Sequence, residues 1–326
     1  MSSDKPLPPI RPEPAIGTAG TTSHPPQVFD ADLRRLRRAR AARRTARITT
    51  EQNQAAFFIE RCAQDASERL QDIARRFERA LIIAPHDFWP RMQELLPKQK
   101  HPKSITTAYD IDEDIDGPLY SFDIISADDA LPTDGEPYDL IISILSLHSV
   151  NDLPGALLNM RYILKADGLM MASVFGGDSL CELRAAFYAT ESAQFGGMSP
   201  RVFPMMDFSQ AAHLLQRTGY ALPVVDTDRF AVNYSSLSRL IADLRDAGQT
   251  NTVTARSPTP LSRSFYTTLE AEYAKASSTE YGKLKASFEI LWMTGWAPHD
   301  SQQKPLKPGS AKMRLSEALG TKETKL

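Results

Sequence analysis

The sequence predicts a doubly wound α/β domain, a parallel sheet with helices on both faces, carrying a helical extension at its N-terminal side. Three observations predict it. After Phe77 the chain alternates short apolar runs with helical stretches, which is the order of βα units. The runs are apolar throughout instead of alternating with polar residues, so both faces of the sheet are covered. A length of 326 residues with 42% apolar residues supplies a large core for one such domain with extensions.

Residues 1–26 hold seven of the 23 prolines among Ser, Thr and Gly, too little apolar surface to offset the entropy of ordering, and read as a disordered tail. Asp30 is an N-cap for an Arg/Ala-rich helix with Leu33 and Leu36 at helical spacing. Residues 50–77 continue as a second helix whose apolar face is Phe57, Phe58, Cys62, Ala66 and Leu70. Then follow a strand over 79–84, a helical stretch to Leu96, strands over 104–109, 122–126 and 138–145, a helix over 153–164 and a strand over 168–175. Beyond these, 179–193 and 209–218 read as helices, and 220–234 as a strand pair or long hairpin. Residues 236–247 form a helix closed by Gly248, and 287–296 the final strand, before Pro298, Pro305 and Pro308 interrupt regular structure. The expected division is a tail (1–26), a helical extension (27–77), the α/β domain (78–297) and an irregular C-terminal tail (298–326).

A net charge of −2 conceals two blocks of opposite sign. Residues 31–48 carry eight arginines against Asp32, and residues 110–139 carry eleven acids and no Lys or Arg. Arginines without interleaved aromatics, beside so acidic a segment, argue against nucleic acid; the basic helix is expected to pack on the fold or to meet a protein partner. Cys62 and Cys181 are too few for a disulfide framework and sit in no metal-binding pattern. No window approaches the roughly 18 apolar residues of a membrane span, and no signal-like apolar stretch opens the chain, so a cytoplasmic protein is expected.

In an open parallel sheet ligands bind at the carboxyl ends of the strands, which directs attention to the turns after Ala84, Tyr109, Ser126 and Leu145. Asp110, just past the second strand, suits a ribose hydroxyl pair, with Asp112 as a shifted alternative; a solvated loop carboxylate is the plain reading of either. No EF-hand spacing is present, and no metal site is expected.

The stretches Tyr138-Asp-Leu-Ile-Ile-Ser-Ile-Leu-Ser-Leu-His-Ser-Val-Asn-Asp152, Arg161-Tyr-Ile-Leu-Lys-Ala-Asp-Gly168 and Phe175-Gly-Gly-Asp178 resemble the class I S-adenosylmethionine-dependent methyltransferases. Gly197-Met-Ser-Pro-Arg201, Leu244-Arg-Asp-Ala-Gly-Gln-Thr-Asn251 and Gly295-Trp-Ala-Pro-His-Asp-Ser-Gln-Gln-Lys-Pro-Leu306 narrow the likeness. They resemble bacterial relatives of the mitochondrial complex I assembly factor of that fold, a branch similar also to the malonyl-carrier-protein methyltransferase of biotin synthesis. The resemblance implies a Rossmann-like seven-stranded sheet with its last strand antiparallel. It implies S-adenosylmethionine over the first strand ends near Ala84, Asp110 and Leu145, and adenine near Asp128 and Asp129. His148 would lie beside the substrate channel, as a general base or as a satisfied structural histidine.

One departure stands against that site. Where the family carries an acid and a glycine-rich turn, this chain reads Leu81-Ile-Ile-Ala-Pro-His-Asp-Phe88. Ile82 cannot accept a hydrogen bond, Pro85 removes a backbone donor, non-glycine residues in glycine slots are expected to be strained, and Phe88 would intrude on cofactor volume. Ser149 replaces a Trp of the relatives. The tail with His299, Lys304, Lys307 and Ser310 is either a lid over the cofactor mouth or an irregular surface segment. Two functions follow: a methyltransferase-family protein acting in complex I assembly on a protein subunit, or a non-catalytic assembly module, a pseudoenzyme whose cofactor binding is weakened or lost.

Overall fold

A computed structural model describes residues 27–45, 56–85, 87–108, 136–279 and 281–303. The basic run forms α1 (Ala31–Thr45), opened by Asp30, whose Oδ1 accepts the Leu33 N–H at 2.9 Å. The amphipathic run forms α2 (Ala56–Asp72), which buries Phe58, Cys62, Ala66 and Leu70 on one face and ends short of Phe77. Then come β1 (Arg79–Ile83), α3 (Phe88–Leu95), β2 (Ser104–Ala108), β3 (Tyr138–Ile144), α4 (Leu153–Ile163), β4 (Leu164–Phe175) and α5 (Cys181–Phe195). The chain continues through α6 (Phe208–Arg217), β5 (Ala221–Tyr234), α7 (Leu237–Asp246), α8 (Arg263–Ser277) and β6 (Leu284–Trp296).

One sheet of six strands in the order β2-β1-β3-β4-β6-β5 results. β1 pairs in parallel with β2 and β3, and β3 with β4; β6 runs antiparallel between β4 and β5. The expected antiparallel last strand is therefore present. Six strands, not seven, lie among the described residues, and the run 122–126 expected as a further strand falls outside them. The segment 220–234 is one long strand, not a hairpin: β5 pairs with β6 along its length, and a register shift between Ala221 and Val224 absorbs Leu222 and Pro223. α8 was not expected, although its signals are ordinary. The Ser262 hydroxyl caps it by accepting from Phe265 N–H at 3.1 Å, and Phe265, Leu269 and Tyr273 bury one face.

Successive strand residues feed opposite core layers. Ala80, Ile82, Leu140 and Ile142 join the layer covered by α2, α3, α5, α7 and α8, while Leu81, Ile83 and Ile141 join the layer under α4 and α6. The amino end of β1 is pinned by a buried carboxylate: Asp139, 3% exposed, accepts from the N–H groups of Glu78 and Arg79, each at 2.8 Å. Asp139→Ala removes the acceptor of two part-buried donors and is expected to cost about 1–3 kcal/mol in a denaturant titration, with Asp139→Asn falling between it and the wild type.

Candidate active site at the carboxyl ends of the parallel strands

The turn after β1 closes without glycine. Buried Ala84 donates its N–H to the Ala108 carbonyl at 3.2 Å, and Phe88 donates to Pro85 O at 2.9 Å, which starts α3. None of Ala84, Pro85, Asp87 and Phe88 has a positive φ, so the strain expected of non-glycine residues here is absent at these four. His86 lies outside the described residues. Phe88 is fully buried, and its ring belongs to the core layer beneath α2, as does Ile82. The packing of α3 on α2 takes the ring into the core, where Phe88 was expected to intrude on a ligand volume.

At the end of β3 the backbone is strained and doubly held. Leu145 has φ 46°, a left-handed conformation that costs a non-glycine residue about 1–2 kcal/mol. Its N–H donates to the Ser173 carbonyl at 2.9 Å and to Ser173 Oγ at 3.2 Å, both in β4. Its carbonyl accepts from Gln249 Nε2 at 3.0 Å. The chain then makes a short 3-10 turn over Leu147–Ser149.

His148, 6% exposed, lies in that turn between two rings, stacked on Phe203 at 5.0 Å and tilted to Phe175 at 5.3 Å. Its Nε2 meets Gln249 Oε1 at 2.9 Å. Because Gln249 Nε2 is committed to the Leu145 carbonyl, its Oε1 must accept, so His148 carries its proton on Nε2 and presents a bare lone pair at Nδ1. Among the described residues that Nδ1 has no hydrogen-bond partner. Burial, and after it the Arg38 and Arg34 charges, pull the His148 pKa down to about 3. The imidazole is therefore neutral at physiological pH: it can accept a hydrogen bond and cannot serve as a stored acid.

The basic helix frames this turn. Arg34 and Arg38 are buried, and they donate to the Ser149 carbonyl at 2.5 Å and to Ser149 Oγ at 3.5 Å. Ser149 is thus an anchor for α1. Phe29 and Asn151 exchange two hydrogen bonds, at 2.8 and 2.9 Å, and Asp30 N–H donates to Thr252 O at 2.8 Å, fixing the entry to α1 on the same loops. The stretches that carried the likeness converge here. Buried Glu191 accepts from Ser199 N–H and Oγ and from Arg201 Nε, so that its carboxyl lies below the usual range although burial pushes it up. A Cβ on Gly248 would stand 3.3 Å from Arg38 Cγ, so this left-handed residue also permits the close approach of α1.

Of the expected site residues, Ala84 and Leu145 stand at neighbouring strand ends, with His148 in the turn beyond Leu145. Asp110, Asp112, Asp128 and Asp129 lie outside the described residues. Gln249, Phe203 and Ser173 were missed, because what marks them is contact across the fold. The C-terminal segment does not cover this end as far as it is described. Gln302 Nε2 donates to Asp167 Oδ1 and Ala297 O, each at 2.8 Å, which ties residues 297–302 to the amino end of β4, at the opposite end of the parallel strands from Leu145 and His148. Lys304, Lys307 and Ser310 lie outside the described residues. Among the described residues both cysteines are free, burial pushes the Cys62 thiol up to about 12, and no group of three metal-ligating side chains occurs.

The depressed His148 pKa has a definite sign. The unfolded chain binds the proton below about pH 6.5 and the folded chain does not, so this contribution to stability is complete above that pH and is lost as pH falls. The loss amounts to about 1.4 kcal/mol per pH unit. Isotope-labelled protein should show a flat His148 signal from about pH 8 to about pH 5. His148→Gln should lose less stability over the acid half of that range; a His148 signal that titrates near its ordinary pKa contradicts the geometry.

A family profile described as a methyltransferase domain matches residues 38–225. The arginine-hydroxylase NDUFAF5, mitochondrial, of Rattus norvegicus is 32% identical over 314 residues, covering 95% of this chain and 89% of its own. The Homo sapiens protein of the same name is 32% identical over 293 residues, 89% of this chain and 83% of its own. A malonyl-[acyl-carrier protein] O-methyltransferase of Xylella fastidiosa (strain M23) is 32% identical over 168 residues, 52% of this chain and 55% of its own. The relatives that span the chain are mitochondrial by name, which overturns the expectation of a cytoplasmic protein. Two free cysteines and the lack of an apolar span bear on redox state and insertion, and neither property distinguishes one aqueous compartment from another. The chain belongs to the methyltransferase domain family, alongside the NDUFAF5 arginine-hydroxylases to which most of its length is similar.

Proposed function

We propose that this methyltransferase-family chain serves the maturation of respiratory complex I, acting on or holding one of its protein subunits. The supporting observation is the extent of the likeness to the NDUFAF5 arginine-hydroxylases. It runs over 95% of the chain and so takes in the segments that here surround the β3 strand end: the α1 helix, the Glu191–Arg201 loop and the Leu244–Asn251 segment. In the same reading residues 27–77 are an extension of a methyltransferase unit at 78–297. Ala84, Leu145, Asp110, Asp128 and Asp129 are its cofactor-facing residues, and His148 is the polar group nearest the acceptor.

A specific observation favours weakened cofactor binding, and with it the non-catalytic assembly module. The Ala84 N–H is spent on Ala108, Pro85 has none, and both polar groups of the Leu145 peptide are engaged within the fold. Ile82 is buried among apolar side chains. Ala84, Pro85 and Leu145 therefore offer S-adenosylmethionine no free backbone donor, which supports the weakened reading.

Two measurements test the reading. Removal of the gene from its host should lower assembled complex I on a native gel together with NADH:quinone oxidoreductase activity; normal assembly overturns the maturation role. Calorimetric titration with S-adenosylmethionine and S-adenosylhomocysteine should show dissociation constants of about 0.1 mM or weaker, and low-micromolar binding by either overturns the weakened site.

A further inference from the structure

A cavity of about 400 Å³ opens between α1, α5, α7 and the loops at 200–203 and 249–257. Six arginines line it: Arg37, Arg40, Arg44, Arg201, Arg245 and Arg256. No carboxylate is among its described lining residues. Three of the arginines have acidic partners set behind the wall, Arg44 with Asp246 at 2.7 Å, Arg201 with Glu191 at 2.7 Å and Arg256 with Asp30 at 3.0 Å. Arg37, Arg40 and Arg245 have no carboxylate partner among the described residues; Arg37 donates instead to the Asn251 carbonyl. Burial, and after it the neighbouring charges of Arg256 and Arg245, pull the Arg37 pKa down, although the Asp30 carboxylate acts on it in the opposite direction.

The rest of the wall is apolar, with Leu183, Phe187, Val202, Phe203 and Leu244. Its size matches a small organic ligand, and it is too small for a folded partner. Gln249 also lines it, so the cavity touches the group that holds His148 and the Leu145 carbonyl. We infer that this cavity is a binding site for a phosphate monoester carried on an apolar body. Three guanidinium groups without an ion-paired carboxylate among the described residues call for more than one negative charge and for several acceptor oxygens, which a phosphate dianion supplies and a single carboxylate does not. The apolar wall takes the body of the ligand, while the exposed Arg40 and Arg245 meet its charged head. The inference is independent of complex I maturation and of cofactor binding, because it concerns a ligand that neither requires.

The test is calorimetric titration of the full chain with octyl phosphate, against octanoate, 1-octanol and inorganic phosphate, near neutral pH and at low salt. Octyl phosphate should bind roughly tenfold or more tightly than each of the other three. The double variant Arg40→Ala, Arg245→Ala alters two side chains without carboxylate partners, so its melting temperature should be unchanged while octyl phosphate binding weakens roughly tenfold or more. Rising salt should weaken wild-type binding. Octyl phosphate binding no tighter than 1-octanol, or equal binding by the double variant, overturns the site. Octanoate binding as tightly as octyl phosphate overturns the assignment to a phosphate.

Discussion

The left-handed backbone at Leu145 is the constraint on which the carboxyl end of the sheet depends. A leucine at φ 46° persists only if its surroundings hold it, and here β4 holds the N–H through Ser173 while Gln249 holds the carbonyl. The consequences propagate outward from that peptide. Gln249, fixed by the carbonyl, can present only its oxygen to His148, and this sets the tautomer of the imidazole. The turn that carries His148 then offers Ser149 to Arg34 and Arg38, so the appended helix is docked against the strand end.

The same helix resolves the charge puzzle of the sequence. Spacing along α1 sorts its arginines onto two adjacent faces. Arg34 and Arg38, one turn apart, are buried against the β3 turn, while Arg37, Arg40 and Arg44 face the cavity. Buried arginines are tolerated because backbone and side-chain oxygens of the fold accept from them, whereas those at the cavity are left with fewer counterions than charges. A run that reads as a uniform basic stripe is therefore part structural seam and part cavity lining.

Legibility in the sequence followed the range of the interactions. Strand positions were readable because an apolar run covered on both faces leaves its mark in a few consecutive residues, as in Leu140-Ile-Ile142. The Asp30 cap and the Gly248 turn were readable for the same reason. β5 was misjudged because its irregularity at Leu222 and Pro223 is tolerated only through pairing with β6, some seventy residues away. The Gln249–His148 pair spans 101 residues, and nothing local to either marks it. Arginine is the extreme case, since one residue type serves buried anchor and cavity lining alike, and only packing tells them apart.

The glycine-free turn after β1 illustrates how far a fold and its chemistry can separate. The sheet requires only that β1 end, that α3 begin, and that each buried N–H find an acceptor. Ala84 and Phe88 meet those demands with ordinary backbone angles and bonds to Ala108 and Pro85. A ligand approaching this turn finds no spare donor on Ala84 or Pro85. To bind there it must displace an internal bond, at a cost comparable to what the new bond returns, or draw its donors from elsewhere. The architecture thus survives a turn in which neither Ala84 nor Pro85 keeps a free backbone donor, because the sheet asks only for paired N–H groups and a buried Phe88, and not for a ligand.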